Sequence, residues 1–393
     1  MKPYKYLILG GGMTGDAAAR GIRELDPDGS IGMISGEADK PYARPPLTKG
    51  MWKGRPFERI WRGTESLNVD INLGRQATGI DPAAKRVSDD QGEEYAYDKL
   101  LLATGGSPIH LPFGDGKIIY YRTLGDYLHL RKLTETAQNF LVIGGGFIGS
   151  EIAAALTMQG KQVTMVFLDN SIGELVYPPD LSHFLNDFYR KKGVELAPGE
   201  AVSSLEEDGG SLVVRTRGGR AFRVDGVVAG IGIRPNVALA RSAGLQVENG
   251  IVVDDHQRAS APDIYAAGDV AMFPHKSLGK LVRVEHEDNA LSMGKQAGRN
   301  MAGADEAYTH APYFYSDLFE LGYEAVGELS SKMQTVSDWQ EPFQKGVIYY
   351  LDGGRVRGVL LWNVWKKLKE AAALLDEPGP FKPEELRGKI KAE

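Results

Sequence analysis

The stretches KYLILGGGMTGDAAARGI, Lys5 to Ile22, and NFLVIGGGFIGSEIAAALTMQG, Asn139 to Gly160, decide how this chain folds. Each is a short apolar run, then Gly-x-Gly-x-x-Gly, then an alanine-rich segment with helical spacing. A buried parallel strand reads as a continuous apolar run, and the glycines that follow permit a tight turn with close strand–helix approach. Gly10 and Gly144 are corresponding positions 134 residues apart, so the chain carries an internal repeat of two strand–turn–helix openings. Each turn aims backbone N–H groups and a helix N-terminus at one point, an arrangement suited to a pyrophosphate. One copy alone is weak evidence, since such a turn can be purely structural. Two copies are more specific, because each is followed about 20 residues later by an acid placed to accept from ribose hydroxyls. Those acids are Glu37, 22 positions after Gly15, and Asp169, 20 positions after Gly149. Asp169 would repel a 2′-phosphate and so favours NAD(H) over NADP(H); its plain alternative is a surface acid after a strand. Glu37 is offset, because Gly36 fills the position directly after Ser35 where the acid is first expected.

Working outward, KLLLATGGSP (Lys99 to Pro108), GVVAGIGIRPN (Gly226 to Asn236) and IYAAGDVAMF (Ile264 to Phe273) are further apolar runs that end in glycine turns. The second nucleotide signature is bracketed by pieces that read as parts of the first domain. The expected fold class is therefore α/β, with two Rossmann-like dinucleotide-binding domains, one (residues 114–239, carrying the NAD-type signature) inserted into the other, which is discontinuous (1–113 and 240–311) and is the FAD domain on the resemblance given below. After about Ala311 the pattern changes to antiparallel strands with a hairpin at Asp352-Gly353-Gly354. That predicts a small α+β C-terminal domain over 312–393, of a kind used for dimerisation or interfaces, and a homodimer is compatible with it.

Composition narrows the function classes. The chain has 393 residues, 49 glycines, no cysteine and a formal charge of −6. Without cysteine there is no disulfide framework, thiolate nucleophile, redox dithiol or thiolate-held metal cluster, so redox chemistry must run through an organic cofactor. Mild acidity argues against a nucleic-acid partner. The seven histidines show no ligand spacing, so no metal site is assigned. No apolar run approaches the roughly 18 residues of a membrane span. The strand pattern starts at Tyr6, and the expectation is a soluble cytoplasmic protein. Trp365-Lys366-Lys367-Leu368-Lys369 reads as a solvated helix face, with an acidic partner as the alternative.

Taken with PYARPPLTKGMW (Pro41 to Trp52), RVEHEDNA (Arg283 to Ala290), YSDLFELGYEAVGEL (Tyr315 to Leu329) and GVLLWN (Gly358 to Asn363), these motifs occur in an order that resembles the FAD-dependent, NADH-using reductases of the ferredoxin-reductase type. Within that group the chain is most similar to apoptosis-inducing factor, and the resemblance covers nearly its whole length. It implies that Gly10, Gly11, Gly12, Met13, Thr14 and Gly15 hold the FAD pyrophosphate, with Glu37 near the adenosine ribose. Arg44, Lys49, Ala77, Arg122, Asp269, His286, Glu287 and Tyr315 match further FAD positions. Gly144, Gly145, Gly146, Phe147, Ile148 and Gly149 match the NAD loop, Phe147 being the ring that covers the flavin where nicotinamide enters. Asp169, Gly232, Glu285, Glu324 and Asn363 match further NAD contacts.

The resemblance also implies that Lys49 and Glu151 meet near the flavin N5, where a cation favours the reduced ring and the carboxylate orients the lysine. Read from the residues alone, Glu151 could be a first-turn helix acid and Lys49 a solvated loop lysine. Hydride transfer needs two aligned rings and no protein acid or base, so Lys49, Glu151 and Phe147 are the residues expected to matter for the reaction. Two departures stand out. Tyr315 occupies a position that is commonly tryptophan, and Glu287 replaces the tryptophan or histidine of the two subgroups. The expected activity is an FAD-dependent NADH oxidoreductase that passes electrons to an unidentified acceptor, either a small molecule or a small redox protein. The alternatives are a redox-controlled interaction protein with slow turnover and a long-lived NADH-reduced charge-transfer state, and a ferredoxin or rubredoxin reductase.

Overall fold

The structure is a computed structural model that describes residues 1–391; Ala392 and Glu393, the end of the expected C-terminal domain, lie outside the described residues. The helices described are α1 (Met13–Leu25), α2 (Leu124–Leu133), α3 (Phe147–Met158), α4 (Pro179–Lys191), α5 (Ala238–Ser242), α6 (Glu287–Met301), α7 (Leu368–Asp376) and α8 (Pro383–Leu386). The chain divides into two compact units, one of residues 1–44, 56–107 and 234–312, the other of 45–55, 108–233 and 313–393.

The first unit is built on a parallel sheet. Strand Lys2–Leu9 lies between Ile31–Ser35 and Glu94–Leu102, with Ile8 opposite Met33 on one side and Leu101 on the other. Val69–Leu73 extends one edge, while Ile264–Ala266 pairs with Glu94–Leu102 in parallel register. The antiparallel strands Arg86–Asp89 and Ala77–Asp81 complete the sheet. Leu7, Ile8, Leu100, Leu101 and Ile264 are buried, as continuous apolar runs covered on both faces require. Helix α1 packs on this sheet and crosses α6 with little space between backbones: a Cβ on Gly298 would stand 2.0 Å from the Ala18 carbonyl oxygen, and one on Gly294 2.6 Å from that of Thr14.

The second unit repeats the theme. Its five-stranded parallel sheet runs in the order 195–198, 162–167, 139–143, 226–229 and 118–120, with Val142 between Met165 and Val228. A three-stranded antiparallel meander, Val202–Asp208, Ser211–Thr216 and Ala221–Val224, lies in the chain between strands Glu195–Pro198 and Gly226–Ala229 of that sheet. The remaining sheet is antiparallel and five-stranded, in the order 313–318, 321–327, 355–362, 345–352 and 334–341. Its central turn is the expected hairpin at Asp352-Gly353-Gly354, where Asp352 pairs with Arg355. Val347, Tyr349, Leu360 and Trp362 are fully buried beneath it.

The two glycine loops are near copies in three dimensions. Gly10 has φ +125° and Gly144 φ +113°, conformations that other residues adopt only under strain. A Cβ on either would come within 2.1 Å of the Ala103 oxygen or 2.4 Å of the Gly230 oxygen. At the last glycine of each motif a Cβ would lie 2.1 Å from the carbonyl of the first, Gly15 against Gly10 and Gly149 against Gly144. Glycine is thus fixed by contact at all four positions and by torsion as well at Gly10 and Gly144.

Candidate functional site

Both loops leave helix N-termini available to an anion. Gly12 is the N-cap of α1 and Gly146 that of α3, with nearly identical torsions (φ −88°, ψ −168° and φ −85°, ψ −165°), and neither helix has a side-chain cap. Helix α2, by contrast, is closed by a Thr123/Asp126 capping box. A Cβ added at Gly12 or Gly146 would meet nothing within 4 Å. Uncapped N–H donors facing open space are what a pyrophosphate needs, so the loops fit the dinucleotides that the sequence implied.

In the first unit several expected FAD residues converge. The Glu37 carboxylate accepts from the Tyr42 hydroxyl at 2.6 Å and forms an ion pair with Arg44, whose guanidinium lies 5.2 Å from the Tyr42 ring centroid. Burial works against the Arg44 charge, but Tyr42, Glu37 and Asp269 outweigh it and raise its pKa. The 74–77 segment reaches the same corner, because Gly74 N–H donates to Glu37 O and Arg75 N–H to Ser35 O. Ala77 follows in the edge strand. The Gly268-Asp269 turn abuts the glycine loop, since a Cβ on Gly268 would lie 2.2 Å from Thr14 Oγ1.

His286 caps α6, and Glu287 is that helix's first residue. Burial lowers the His286 pKa to about 4 against the opposing charges of Asp269 and Asp288. Arg283 donates to the Asp269 carbonyl at 3.0 Å and to Glu285 at 2.6 Å. Arg283 Nε and Asn289 Nδ2 are buried donors without a protein partner, as expected beside a ligand that would satisfy them. Sequence reasoning passed over Asp16. Fully buried in α1, it accepts from Arg20, Arg62 and Thr64, so it ties the first glycine-loop helix to the 62–64 segment.

Of the expected NAD residues, Asp169 and Gly232 follow strands of the sheet that carries the Gly144 loop, Glu324 and Asn363 belong to the C-terminal sheet region, and Glu285 lies in the first unit. Asp169 follows strand Gln162–Phe167, and burial, reinforced by Glu174, raises its pKa. The next turn folds over the loop, with Gly173 N–H donating to Gly145 O at 2.9 Å. Gly232 has φ +96° and accepts from Ile109 N–H. Glu324 carries a buried Oε2 without a protein partner; burial raises its pKa, while the Lys366 backbone N–H lowers it. A buried acceptor of that kind fits a ribose or amide donor. Asn363 is engaged within the C-terminal sheet, accepting from Gly322 N–H and donating to Gln344 O, both at 2.8 Å. The Phe147 ring lies 5.8 Å from that of Phe314, and Ile148 is exposed.

The second unit also contains Lys49, Arg122 and Tyr315. Lys49 sits between two 3₁₀ turns, Pro45–Leu47 and Gly50–Lys53. Their shape is held by Leu47 O, which accepts from Trp52 Nε1 at 2.7 Å and the Tyr121 hydroxyl at 2.6 Å, and by Gln159 on Trp52 O. Lys49 Nζ is 2.7 Å from Glu151 Oε2, with the lysine 13% and the glutamate 3% exposed. Thr48 Oγ1 donates to the same oxygen at 2.6 Å, and Ser316 Oγ to Oε1 at 2.5 Å. Lys49 Nζ also lies 5.2 Å from the Tyr315 ring centroid. Thr48 and Ser316 were not picked out in the sequence, and their only local signal is that each adjoins a residue that was. Arg122 precedes the α2 cap, where its backbone N–H donates to Asp126. Among the described residues Asp254, Asp255 and His256 converge, but at an exposed site where His256 Nδ1 faces Asp255. No described helix is long and apolar enough to cross a membrane.

Comparison with known proteins agrees with this geometry. Residues 4–294 match the pyridine nucleotide-disulphide oxidoreductase family. Residues 297–342 and 337–377 match the family described as apoptosis-inducing factor, mitochondrion-associated, C-term. The chain is 34% identical to the apoptosis-inducing factor 1 of Dictyostelium discoideum, over 95% of its own length and 79% of that protein. It is 31% identical to the putidaredoxin reductase of Pseudomonas putida, over 96% and 93% respectively. Among solved structures, the putidaredoxin reductase–putidaredoxin complex superposes with a TM-score of 0.89 at 31% identity, covering 97% of this chain and 95% of that one. With two open glycine loops and a matching C-terminal sheet, the chain belongs to the pyridine nucleotide-disulphide oxidoreductase family and is an FAD-dependent NADH oxidoreductase.

Proposed function

We propose that NADH binds the Gly144 loop, that its hydride is accepted beside Lys49, and that the electrons leave to a separate small redox protein. The observation that carries the reading is the buried Lys49–Glu151 pair, because Glu151 belongs to the helix that opens the NAD loop while Lys49 belongs to the FAD-type motif 41–52. In this reading, the α3 N-terminus and the N–H groups of Gly145 to Ile148 receive the pyrophosphate of NADH. Asp169 accepts from the adenosine ribose and Glu324 from the nicotinamide end. Phe147 covers the entry to the ring. Gly10 to Gly15, Glu37, Arg44, Asp269 and His286 hold FAD, which when bound supplies the ring that takes the hydride. The positive charge of Lys49 would favour the reduced ring, and Glu151 keeps Lys49 oriented. Residues 1–113 and 240–311, 114–239 and 312–393 are the FAD, NAD and C-terminal domains.

The absence of cysteine from the sequence supports a separate acceptor, since no dithiol on this chain can take the electrons. The similarity to a putidaredoxin reductase supports a small redox protein in that role. Anaerobic stopped-flow mixing tests it. NADH should bleach the flavin absorption, and a [2Fe–2S] ferredoxin should restore it faster than air-saturated buffer or a quinone does. Recovery no faster with ferredoxin than with buffer would overturn the proposed acceptor.

A further inference from the structure

We infer that Ser316, acting through Glu151, and Tyr315, acting through Lys49, are positioning residues for hydride transfer, so that the C-terminal sheet sets the charge presented to the hydride-accepting atom. The inference rests on the roles proposed above for Lys49 and Glu151. Glu151 receives donors on both oxygens, and their origins differ. Thr48 and Lys49 are neighbours on one short segment, and both reach Oε2. Bonds to a single oxygen leave the carboxylate plane free to turn, because the terminal torsion of glutamate is broad. Ser316 Oγ, at 2.5 Å on Oε1, comes from a different element and fixes that plane. Ser316 is itself 1% exposed. It pairs across the sheet with Tyr323, whose hydroxyl accepts from Tyr177 at 3.1 Å.

The strand that carries Ser316, Tyr313–Leu318, is an edge strand of the C-terminal sheet and packs against α3. The preceding residue, Tyr315, places its ring 5.2 Å from Lys49 Nζ, within the reach of about 6 Å over which an aromatic face attracts a cation. Two adjacent strand residues therefore hold the two members of one ion pair. The pair has little slack: its acid is fixed at both oxygens, and its base is held by a carboxylate and a ring.

The test uses the FAD-loaded protein as wild type, Ser316→Ala, Ser316→Thr, Lys49→Ala, the Ser316→Ala/Lys49→Ala double variant, Tyr315→Phe and Tyr315→Leu. Anaerobic stopped-flow with NADH gives the limiting rate of flavin reduction and the NADH dissociation constant separately, and redox titration gives the flavin midpoint potential. Ser316→Ala should slow the limiting rate roughly tenfold, the loss expected for one hydrogen bond to a charged group, and should shift the potential. The NADH dissociation constant and FAD occupancy should stay unchanged, and threonine should restore both the rate and any thermal stability lost with the buried hydrogen bond. In the Lys49→Ala background the serine substitution should have no further effect. Tyr315→Leu should slow the rate more than Tyr315→Phe does, because only phenylalanine keeps an aromatic face toward Lys49. A slow Lys49→Ala with a normal Ser316→Ala overturns this inference alone, whereas a normal Lys49→Ala removes the reading beneath it. Loss of FAD or thermal stability in Ser316→Ala without rescue by threonine assigns a structural role and also overturns it, as does an additive loss in the double variant. Equal rates for the phenylalanine and leucine variants remove Tyr315 from the device.

Discussion

At the scale of single residues, environment decides what an ionisable group contributes. Asp169 is proposed above to accept from ribose hydroxyls, and burial already disfavours its charge, so a bound sugar would supply stabilising donors. Asp169→Ala should therefore cost about 1.5–3 kcal/mol of NADH binding, a rise in dissociation constant of roughly 10- to 100-fold, with NADPH affected less. Equilibrium titration with both nucleotides checks this, and an unchanged NADH to NADPH ratio would remove Asp169 from selectivity.

His286 gives a pH dependence of opposite origin. Its pKa falls from 6.5 unfolded to about 4 in the fold, so between those values the unfolded chain binds more protons. The stability of the neutral imidazole is complete above pH 6.5 and is lost as pH falls toward about 4, by up to roughly 3 kcal/mol. Urea unfolding of wild type and His286→Gln at pH 7 and pH 4.5 should show wild type losing more stability than the variant; equal losses would mean that His286 titrates normally. Neither its burial nor the company of Asp269 and Asp288 can be read from RVEHEDNA alone. In the same way, the sequence marks Lys49 and Glu151 only by resemblance, and Thr48 and Ser316 not at all.

Elements show the reverse balance. The two glycine loops, their strands and helices, and the C-terminal hairpin were legible because each depends on contacts within a few residues, where periodicity and turn chemistry act. What local pattern did not announce is the α1–α6 crossing, in which Gly294 and Gly298 let the glycine-loop helix approach closely. A methyl group on Gly298 would meet backbone at 2.0 Å, a contact that only a helix shift relieves. Gly298→Ala should cost about 1–3 kcal/mol and loosen FAD, because the displaced helix carries the pyrophosphate loop. Thermal unfolding and the flavin content of purified protein measure both effects; a variant with normal stability and full FAD would show that the crossing tolerates the shift.

For the whole molecule, cofactor binding and stability are linked. Open helix N-termini and the unpartnered Arg283 Nε and Asn289 Nδ2 are polar groups that folding alone leaves unsatisfied. A ligand that binds only the folded state adds stability in proportion to its excess, about 2.7 kcal/mol at a hundredfold over its dissociation constant. Flavin-stripped protein should accordingly melt below the FAD-loaded form and recover on adding FAD. Adding AMP, which lacks the pyrophosphate, should give a smaller gain in calorimetry; equal gains would mean that the glycine loop is not where FAD is held.

By itself the sequence determined the α/β class, the two nucleotide openings and the restriction to an organic redox cofactor, since those follow from short-range spacing and from the absence of one residue type. Tertiary structure alone decided which side chains surround Glu151. Thr48 and Ser316 are 103 and 165 positions from it, and no periodicity acts over such distances. They meet because α3 and the edge strand Tyr313–Leu318 pack together in one unit with the 45–55 segment. A buried carboxylate needs a donor at each oxygen, and only the folded chain supplies both.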